Sequence, residues 1–183
     1  MENLIEVVLK CFKNRLDQSN ELLIQRSLGY SIRSRCEFYK PATLIELDEF
    51  QQTSGFAIPS DLQDFLLIHN GAKLFYNPEV YDDPPWYFFS LEEIVSAIKD
   101  YSLPDDQYPI AKYDDVLICI NNDSLEIKKR NYLYVRSIYT PSDNDGEQLH
   151  LSFEIFLDRL IVSHGEHFWD WPKITSEVFY RNK

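Results

Sequence analysis

The residues best suited to bond chemistry lie near the carboxyl terminus, where His164 and His167 are three positions apart. Glu166 and Asp170 place carboxylates beside these imidazoles, and such a set could hold a transition metal. Gly165 is expected to interrupt a helix between the two histidines, so their side chains need not converge. We therefore favour a helix end at which a histidine interacts with the helix dipole, and we predict no metal ligand.

No other pattern predicts catalysis. The sequence lacks the nucleophile elbow, the phosphate-binding loop, the dinucleotide fingerprint and the zinc-protease helix, and its five glycines are scattered. Cys11, Cys36 and Cys119 form no CxxC pair, so we interpret them as small buried apolar residues of a reducing compartment. Nothing beyond the presence of both residue types suggests a catalytic Cys–His pair. We predict a protein that is not an enzyme and that binds no cofactor.

The charge balance limits the class of partner. The chain has 18 Lys and Arg against 30 Asp and Glu, for a net charge of −12 at pH 7. Nucleic acids and anionic membrane surfaces are bound largely through basic residues, so neither is an expected partner. A basic protein would be attracted and steered by this field, although acidity that serves only solubility is also common. The amino terminus lacks a signal peptide and no segment could span a membrane, which indicates a cytoplasmic protein.

Acidic, aromatic loops are the candidates for protein contact. Aromatic side chains among carboxylates are typical of surfaces that bind basic proteins. The predicted partner-binding residues form two clusters, Tyr76, Tyr81, Asp82, Asp83 and Trp86 in the first, and Asp105 and Asp106 (near Tyr108) in the second. Asp143 and Asp145 form a third cluster. For any single cluster a solvated loop is the simpler interpretation, and the spacing of a calcium-binding EF-hand is absent.

Local signals place helices between these loops. Three Ser/Thr-x-x-Glu/Gln patterns predict capping boxes: Thr43 with Glu46, Ser60 with Gln63, and Ser90 with Glu93. Gly55 is expected to end the first helix in the left-handed conformation, and Pro59 separates it from the second. Asn70-Gly71 ends the second helix, and His69 before it is interpreted as a partly buried packing residue.

Apolar periodicity predicts further helices and several strands. Residues 2–18 and the stretch after Ser152 are amphipathic helices, the second of which ends at Gly165. Strands are predicted at 30–38, 86–89, 116–120, 125–127 and 132–138, with a turn at 121–123. Together these elements predict one α+β domain over residues 1–183, with helices packed on a small, mainly antiparallel sheet.

The order of these elements resembles the SUKH superfamily, whose members include a yeast cell-wall assembly regulator and many bacterial immunity proteins. The resemblance rests on two helices that are joined by Gly55-Phe-Ala-Ile58-Pro59 and closed by Asn70-Gly71. Further matching segments follow in the family's order at 88–94, 110–111, 116–120, 132–135 and 152–157. The resemblance covers about residues 41–163, and it leaves an N-terminal helix and strand and an aromatic tail outside. Gln51 departs from an often acidic position, and Ala72 from a frequent second glycine.

The resemblance implies a binding protein without catalytic residues. It implies an immunity protein that binds and neutralises a toxin, and in that family the toxin is often a nuclease with a basic substrate cleft. The net charge of −12 fits such a partner. One alternative is a regulatory adaptor of the cell-wall-regulator type, which would bind several cellular proteins. Another is a small metal-dependent enzyme centred on His164 and His167.

Overall fold

The fold is an antiparallel sheet with helices packed against it. A computed structural model describes residues 3–26, 29–80, 83–126, 130–139, 146–173 and 175–181. Its helices are α1 (Leu4–Lys13), α2 (Leu44–Ser54), α3 (Ser60–Ile68), α4 (Leu91–Asp100), α5 (Asn122–Glu126), α6 (Phe153–Val162), a 3-10 helix (Phe168–Lys173) and α7 (Ser176–Arg181). Its strands are β1 (Glu21–Gln25), β2 (Ser31–Phe38), β3 (Ala72–Tyr76), β4 (Trp86–Phe88), β5 (Gln107–Tyr113), β6 (Val116–Asn121), β7 (Leu133–Ser137) and β8 (Glu147–Gln148).

Within these described residues, eight strands form one sheet in which each strand pairs antiparallel with the next. Most residues of the central strands β5 and β6 are buried. The arrangement confirms the predicted α+β class with an antiparallel sheet. The sequence pattern predicts no strand at β1, β3, β5 or β8. Strands β1, β3 and β8 are short, and β3 and β5 lack strict alternation of buried and exposed positions. No helix in the described part of the chain is long and apolar enough to cross a membrane.

Two helices begin as their capping residues predict. At α2, the Thr43 hydroxyl accepts the N–H of Glu46 at 3.2 Å, and the Glu46 carboxylate accepts the N–H of Thr43 at 2.6 Å. Ser90 and Glu93 form the same reciprocal pair at α4. Gly55 ends α2 with a φ of 75°, in the left-handed region, as predicted.

The start of α3 differs from the prediction. Pro59 is the N-cap residue, and no side chain caps this helix. Gln63 donates its amide N–H to the carbonyl of Ile58 at 2.8 Å instead. The predicted Ser60–Gln63 capping box is therefore wrong, because the fixed φ of Pro59 already suits a helix start and Ser60 becomes the first helical residue.

A short helix replaces the strand predicted at 125–127. The side-chain oxygen of Asn121 accepts the N–H of Ser124 at 2.8 Å, which is the bond of an N-cap. The chain then turns into α5, so the predicted turn at 121–123 is the beginning of a helix. The strand prediction is wrong for Leu125, and Ile127 lies outside the described residues.

Aromatic side chains join the sheet to helices α3 and α6. The ring of Phe88 on β4 lies 5.7 Å from that of Phe65 on α3 and 6.1 Å from that of Phe153 on α6. Trp86 lies on the same face of β4, and its ring is 6.0 Å from that of Phe156. These contacts fix the two helices relative to the sheet.

The cysteines are partly as predicted. Cys36 and Cys119 are buried, whereas Cys11 is exposed on α1, so the prediction of burial is wrong for Cys11. Burial raises the pKa of the Cys36 thiol to about 11 and that of Cys119 to about 12. Both buried thiols therefore stay protonated and inert at neutral pH.

Candidate partner-binding site

Trp86, a predicted contact residue, is buried. Its side chain is 0% exposed, and its indole N–H donates to the carbonyl of Gly165 at 2.7 Å. The ring stacks on Tyr113 at 5.1 Å and meets Trp169 edge-on at 6.0 Å. The prediction that Trp86 contacts a partner is wrong, because β4 places it in the core, where residues of the aromatic tail cover it.

Asp83, from the same predicted cluster, forms contacts within the chain. Its carboxylate accepts the N–H of Asn77 at 2.7 Å and lies 3.4 Å from the guanidinium of Arg26. Only 16% of its side chain is exposed. Asp83 therefore stabilises the loop before β4. The neighbouring predicted contacts, Tyr81 and Asp82, lie outside the described residues.

Tyr76 lies on β3 and makes a cross-strand contact. Its hydroxyl donates to the carboxylate of Glu37 on β2. Burial and this hydrogen bond raise the pKa of Tyr76 well above its usual value. The side chain is partly exposed, so a contact of Tyr76 with a partner stays a prediction. The third acidic cluster, Asp143 and Asp145, lies outside the described residues.

The second predicted cluster lies beside the loop that joins α2 to α3. Asp105 is exposed, and the Asp106 carboxylate accepts the side-chain N–H of Asn121. The Asp106 carbonyl accepts the N–H of Asn122 at 2.7 Å. The Asn122 side chain in turn accepts the N–H of Ala57 at 2.9 Å. The structure thus connects this cluster to the α2–α3 loop, and makes no such connection for Asp83 or Trp86.

A concave site borders this loop. It is a cleft of about 470 Å³, and residues 57–61 form one of its walls. Asp61, Asp64 and Glu154 contribute three carboxylates to its lining, whereas Arg130 is the one cation among its described lining residues. The described lining of the cleft is therefore acidic on balance, and the Ile-Pro turn between α2 and α3 builds part of it.

Asp61 fixes the geometry of the cleft. Its two carboxylate oxygens lie 2.5 Å and 2.6 Å from the hydroxyl of Tyr132, which donates to them, and the carboxylate also accepts the N–H of Glu154 at 3.0 Å. The Tyr132 hydroxyl accepts the N–H of Phe153 at 2.9 Å. Together the pair satisfies two backbone N–H groups at the start of α6. Burial and the Asp61 charge raise the pKa of Tyr132 far above its usual value, so its hydroxyl keeps its proton.

Asp64 carries charge that the described residues do not compensate. Burial, followed by the charges of Glu6 and Asp61, raises the pKa of Asp64 above its usual value, and no cation acts on it in the described part of the chain. Like charges held close together in a partly buried site disfavour one another. The charge of Asp64 is therefore disfavoured by its surroundings.

Helices α2 and α3, on either side of the Ile-Pro turn, carry acidic side chains and no Lys or Arg. From Thr43 to Asn70 the sequence contains no Lys or Arg. The five carboxylates of this stretch are all at least partly exposed: Glu46, Asp48, Glu49, Asp61 and Asp64. The sequence-based site prediction missed Asp61, Asp64 and Glu154. The signal that could have found the first two is the lack of cations on both sides of the Ile-Pro turn.

Comparison with known proteins places the chain in a family. The model of the SMI1/KNR4 family (SUKH-1) matches residues 41–159. The chain belongs to this family. It is 32% identical to the uncharacterized protein YobM of Bacillus subtilis (strain 168), over 100% of both chains. It is 28% identical to the uncharacterized protein YnaB of the same organism, over 73% of this chain and 85% of YnaB. The predicted family resemblance is confirmed.

The SUKH-1 match contains the parts of the cleft that carry its carboxylates. It includes the loop at 57–61, Asp64 and Glu154, together with Tyr132, which holds Asp61. Helix α1, strands β1 and β2 and the aromatic tail lie outside the matched segment. The candidate site is therefore a feature of the SUKH-1 segment.

The two histidines considered as metal ligands lie outside the SUKH-1 segment and contact different groups. His164 accepts a hydrogen bond at Nε2 from the Arg15 guanidinium at 2.9 Å. The ring of His167 stacks on Trp169 with 4.7 Å between centroids. Among the described residues, no group of three or more His, Cys, Asp or Glu side chains could hold a metal ion. Both imidazoles take part in packing the tail against the rest of the chain.

His69, inside the SUKH-1 segment, is a packing residue as predicted. Its ring centroid lies 4.8 Å from that of Phe38, and its Nδ1–H donates to the carbonyl of Tyr39 at 2.8 Å. Its Nε2 contacts the ammonium of Lys13 on α1. Burial and, to a smaller extent, the Lys13 charge lower the pKa of His69. Protonation of Nε2 would remove the acceptor for Lys13 and place two cations side by side.

We expect the free energy of unfolding to decrease as the pH falls from about 7 to about 5. Burial lowers the pKa of His69, His164 and His167 below the usual 6.5. The unfolded chain therefore binds these protons first, and the folded state loses stability as the pH falls through this range. Urea titrations across this pH range measure the slope of the free energy of unfolding against pH. His69→Asn should reduce it, and His150→Asn, at an exposed position, is the control. An unchanged slope in His69→Asn would contradict this assignment.

Proposed function

We propose that this SUKH-1 chain is a non-catalytic protein-binding module that acts inside the cell as an immunity protein. It would bind and neutralise a cognate protein toxin, for which a basic nuclease is the fitting class. The observation that carries this proposal is the cleft beside the Ile-Pro turn, whose described lining has three carboxylates and one cation, Arg130. The turn itself lies in a stretch, residues 43–70, with five carboxylates and no Lys or Arg. Nucleases hold phosphate groups with Lys and Arg, so the carboxylates of a partner can occupy the phosphate positions and block the substrate.

The cleft is suited to a cationic side chain. Its wall is held in one geometry by the bonds from Tyr132 and the Glu154 N–H to Asp61, so little conformational entropy is lost on binding. The carboxylates of Asp64 and Glu154 line the open space. An arginine of the toxin would form charge-assisted hydrogen bonds with them. The net charge of −12 would accelerate the encounter.

Asp105 and Asp106 extend this proposed surface. Asp106 is joined to the cleft loop through Asn122 and Ala57, and Asp105 is exposed beside it. Both were predicted as contacts from composition alone, and their place beside the cleft supports that prediction. We propose that they contact basic residues at the edge of the toxin's substrate cleft.

Capture of a toxin tests this function directly. Each protein encoded beside this gene would be produced with an affinity tag and mixed with the purified chain. Growth of cells that produce the same protein would be compared with and without the chain. We expect one neighbour to form a stable complex and to lose its toxicity. If no neighbouring product binds, or if a bound product stays fully toxic, the immunity function is wrong.

Reversal of one charge in the cleft should slow toxin binding. Asp64→Lys should lower the association rate constant about tenfold, because it places a cation where the partner's cation approaches. Glu79→Lys makes the same change of charge at an exposed position of the loop before β4, and should change the rate less than about twofold. Stopped-flow association at low salt measures both. A larger effect from Glu79→Lys would place the contact on that loop rather than in the cleft.

A further inference from the structure

A second concave site lies between α2 and α4. It is a groove of about 240 Å³ with Phe50, Leu91 and Val95 among its lining residues. Glu46, Glu49 and Glu92 also line it, and its described lining contains no Lys or Arg. The groove therefore combines an apolar surface with three carboxylates.

Local sequence chemistry holds both walls of the groove in place. Helices α2 and α4 each begin with a complete capping box, which fixes where each helix starts. The side-chain oxygen of Asn70 accepts the N–H of Leu91 at 2.9 Å and so attaches the start of α4 to the end of α3. Asn70 also lines the groove. The groove is thus preformed, which lowers the entropic cost of binding there.

An exposed aliphatic side chain lies one helical turn from Glu49, a lining residue of the groove. Ile45 is 69% exposed and lies one helical turn before Glu49, on the same stripe of α2. Leu44 is 67% exposed, but the helical rotation of about 100° per residue turns it away from that stripe. A large aliphatic residue beside an apolar groove continues its apolar surface.

We propose that this groove docks an amphipathic helix of the partner protein, with an apolar face and with Lys or Arg along its flanks. The inference rests on the proposed function and identifies the partner segment that is bound. The apolar face would cover Ile45 and Val95, above a floor formed by the buried side chains of Phe50 and Leu91. The basic flanks would meet the carboxylates. Charge complementarity is the argument for a basic segment, since an acidic or neutral helix would bring no cation to Glu49 and Glu92, whereas the Glu46 carboxylate is already bonded to Thr43.

The walls of the groove favour a helix over an extended segment. Both walls are helices, whose backbone N–H and C=O groups are already bonded within each helix, so an extended peptide would find no strand edge to pair with. A helical segment satisfies its own backbone and needs only side-chain contacts. The walls have 11 and 10 residues, so a segment of about three turns would run their full length.

A synthetic peptide tests the groove. The probe is a fluorescent helical peptide of about four turns, with leucines on one face and lysines on both flanks, and its binding to the full chain is measured by anisotropy. Ile45→Ser should weaken the affinity about tenfold, because it removes the exposed apolar anchor. Leu44→Ser is the matched control on the adjacent position and should weaken it less than about twofold.

A second matched pair of variants distinguishes binding in the groove from attraction of the peptide by the overall charge of the protein. Glu49→Lys should weaken peptide binding about fivefold, whereas Asp48→Lys, with the same change of charge on the same helix, should weaken it less than about twofold. Equal losses from Glu49→Lys and Asp48→Lys would show that net charge alone attracts the peptide, and would overturn the proposal. Equal losses from Leu44→Ser and Ile45→Ser, or no loss from Ile45→Ser, would overturn it as well.

Toxin capture with the same variants distinguishes this inference from the proposed function. If wild type and Ile45→Ser capture a toxin with equal affinity, the groove is not the docking site, although the immunity function stands. The opposite result is that no neighbouring product is captured, while the two variants of each matched pair differ in peptide affinity as expected. In that case the groove stands and the immunity function fails. A toxin that binds Ile45→Ser about tenfold more weakly than wild type would support both.

Discussion

Replacement of Trp86 by alanine should lower the free energy of unfolding by about 3–5 kcal/mol. The side chain is fully buried, stacks on Tyr113 and contacts Phe156 and Trp169. The truncation would leave a cavity among these rings and an unbonded carbonyl at Gly165. Urea unfolding followed by far-ultraviolet circular dichroism measures the loss without relying on tryptophan fluorescence.

Trp171→Ala is the matched control for Trp86→Ala. Trp171 is 55% exposed, so its truncation should change the free energy of unfolding by less than about 0.5 kcal/mol. If Trp86→Ala does not fold, Trp86→Phe keeps an aromatic ring and removes the indole N–H, and should cost about 2 kcal/mol. Equal effects of Trp86→Phe and Trp171→Ala would show that Trp86 is not part of the core.

Local chemistry explains why the starts of α2 and α4 could be predicted. A capping box involves residues only three positions apart, so its signal lies entirely within a short segment. Thr43 with Glu46 and Ser90 with Glu93 have this spacing and form the bonds. The left-handed end of α2 at Gly55 is local in the same sense.

The burial of Trp86 could not be predicted in this way. Its hydrogen-bond partner, Gly165, is 79 positions away, and the tail that covers it has no regular pattern. In the sequence, Trp86 follows two aspartates and two prolines, which is the composition of a loop. The prediction that Trp86 contacts a partner failed because amino-acid composition is a property of the local segment. Burial depends on distant residues, here those of the tail, that pack against it.

The candidate site was predictable in part. The acidic character of the chain and the Ile-Pro turn are both visible in the sequence, and together they indicate an acidic surface near that turn. The shape of the cleft is not visible, because Asp61 is fixed by Tyr132, 71 positions later, and by the start of α6. The charges of the site are therefore a property of short segments, and its geometry is a property of the fold.

Gly71→Ala should destabilise the protein by about 3 kcal/mol or more, because two costs add. Gly71 has a φ of 99°, which is strained for any residue with a Cβ. A Cβ there would also lie 2.9 Å from the carbonyl oxygen of Phe88 and 3.0 Å from the backbone nitrogen of Ser90. Backbone atoms cannot move aside as a flexible side chain can, so β3 and β4 would have to separate locally. Urea unfolding measures the cost.

Gly55→Ala measures the cost of the left-handed conformation without that of a steric clash. Gly55 has a φ of 75°, and a Cβ added to it would meet no atom of another part of the chain within 4 Å. Its replacement should therefore cost only the left-handed conformation, about 1 kcal/mol. Equal costs at both glycines would show that the close approach at Gly71 adds nothing. Because Asn70 beside Gly71 holds the start of α4, Gly71→Ala should also disturb the groove between α2 and α4. Gly55→Ala should leave that groove, and its binding of the lysine peptide, intact.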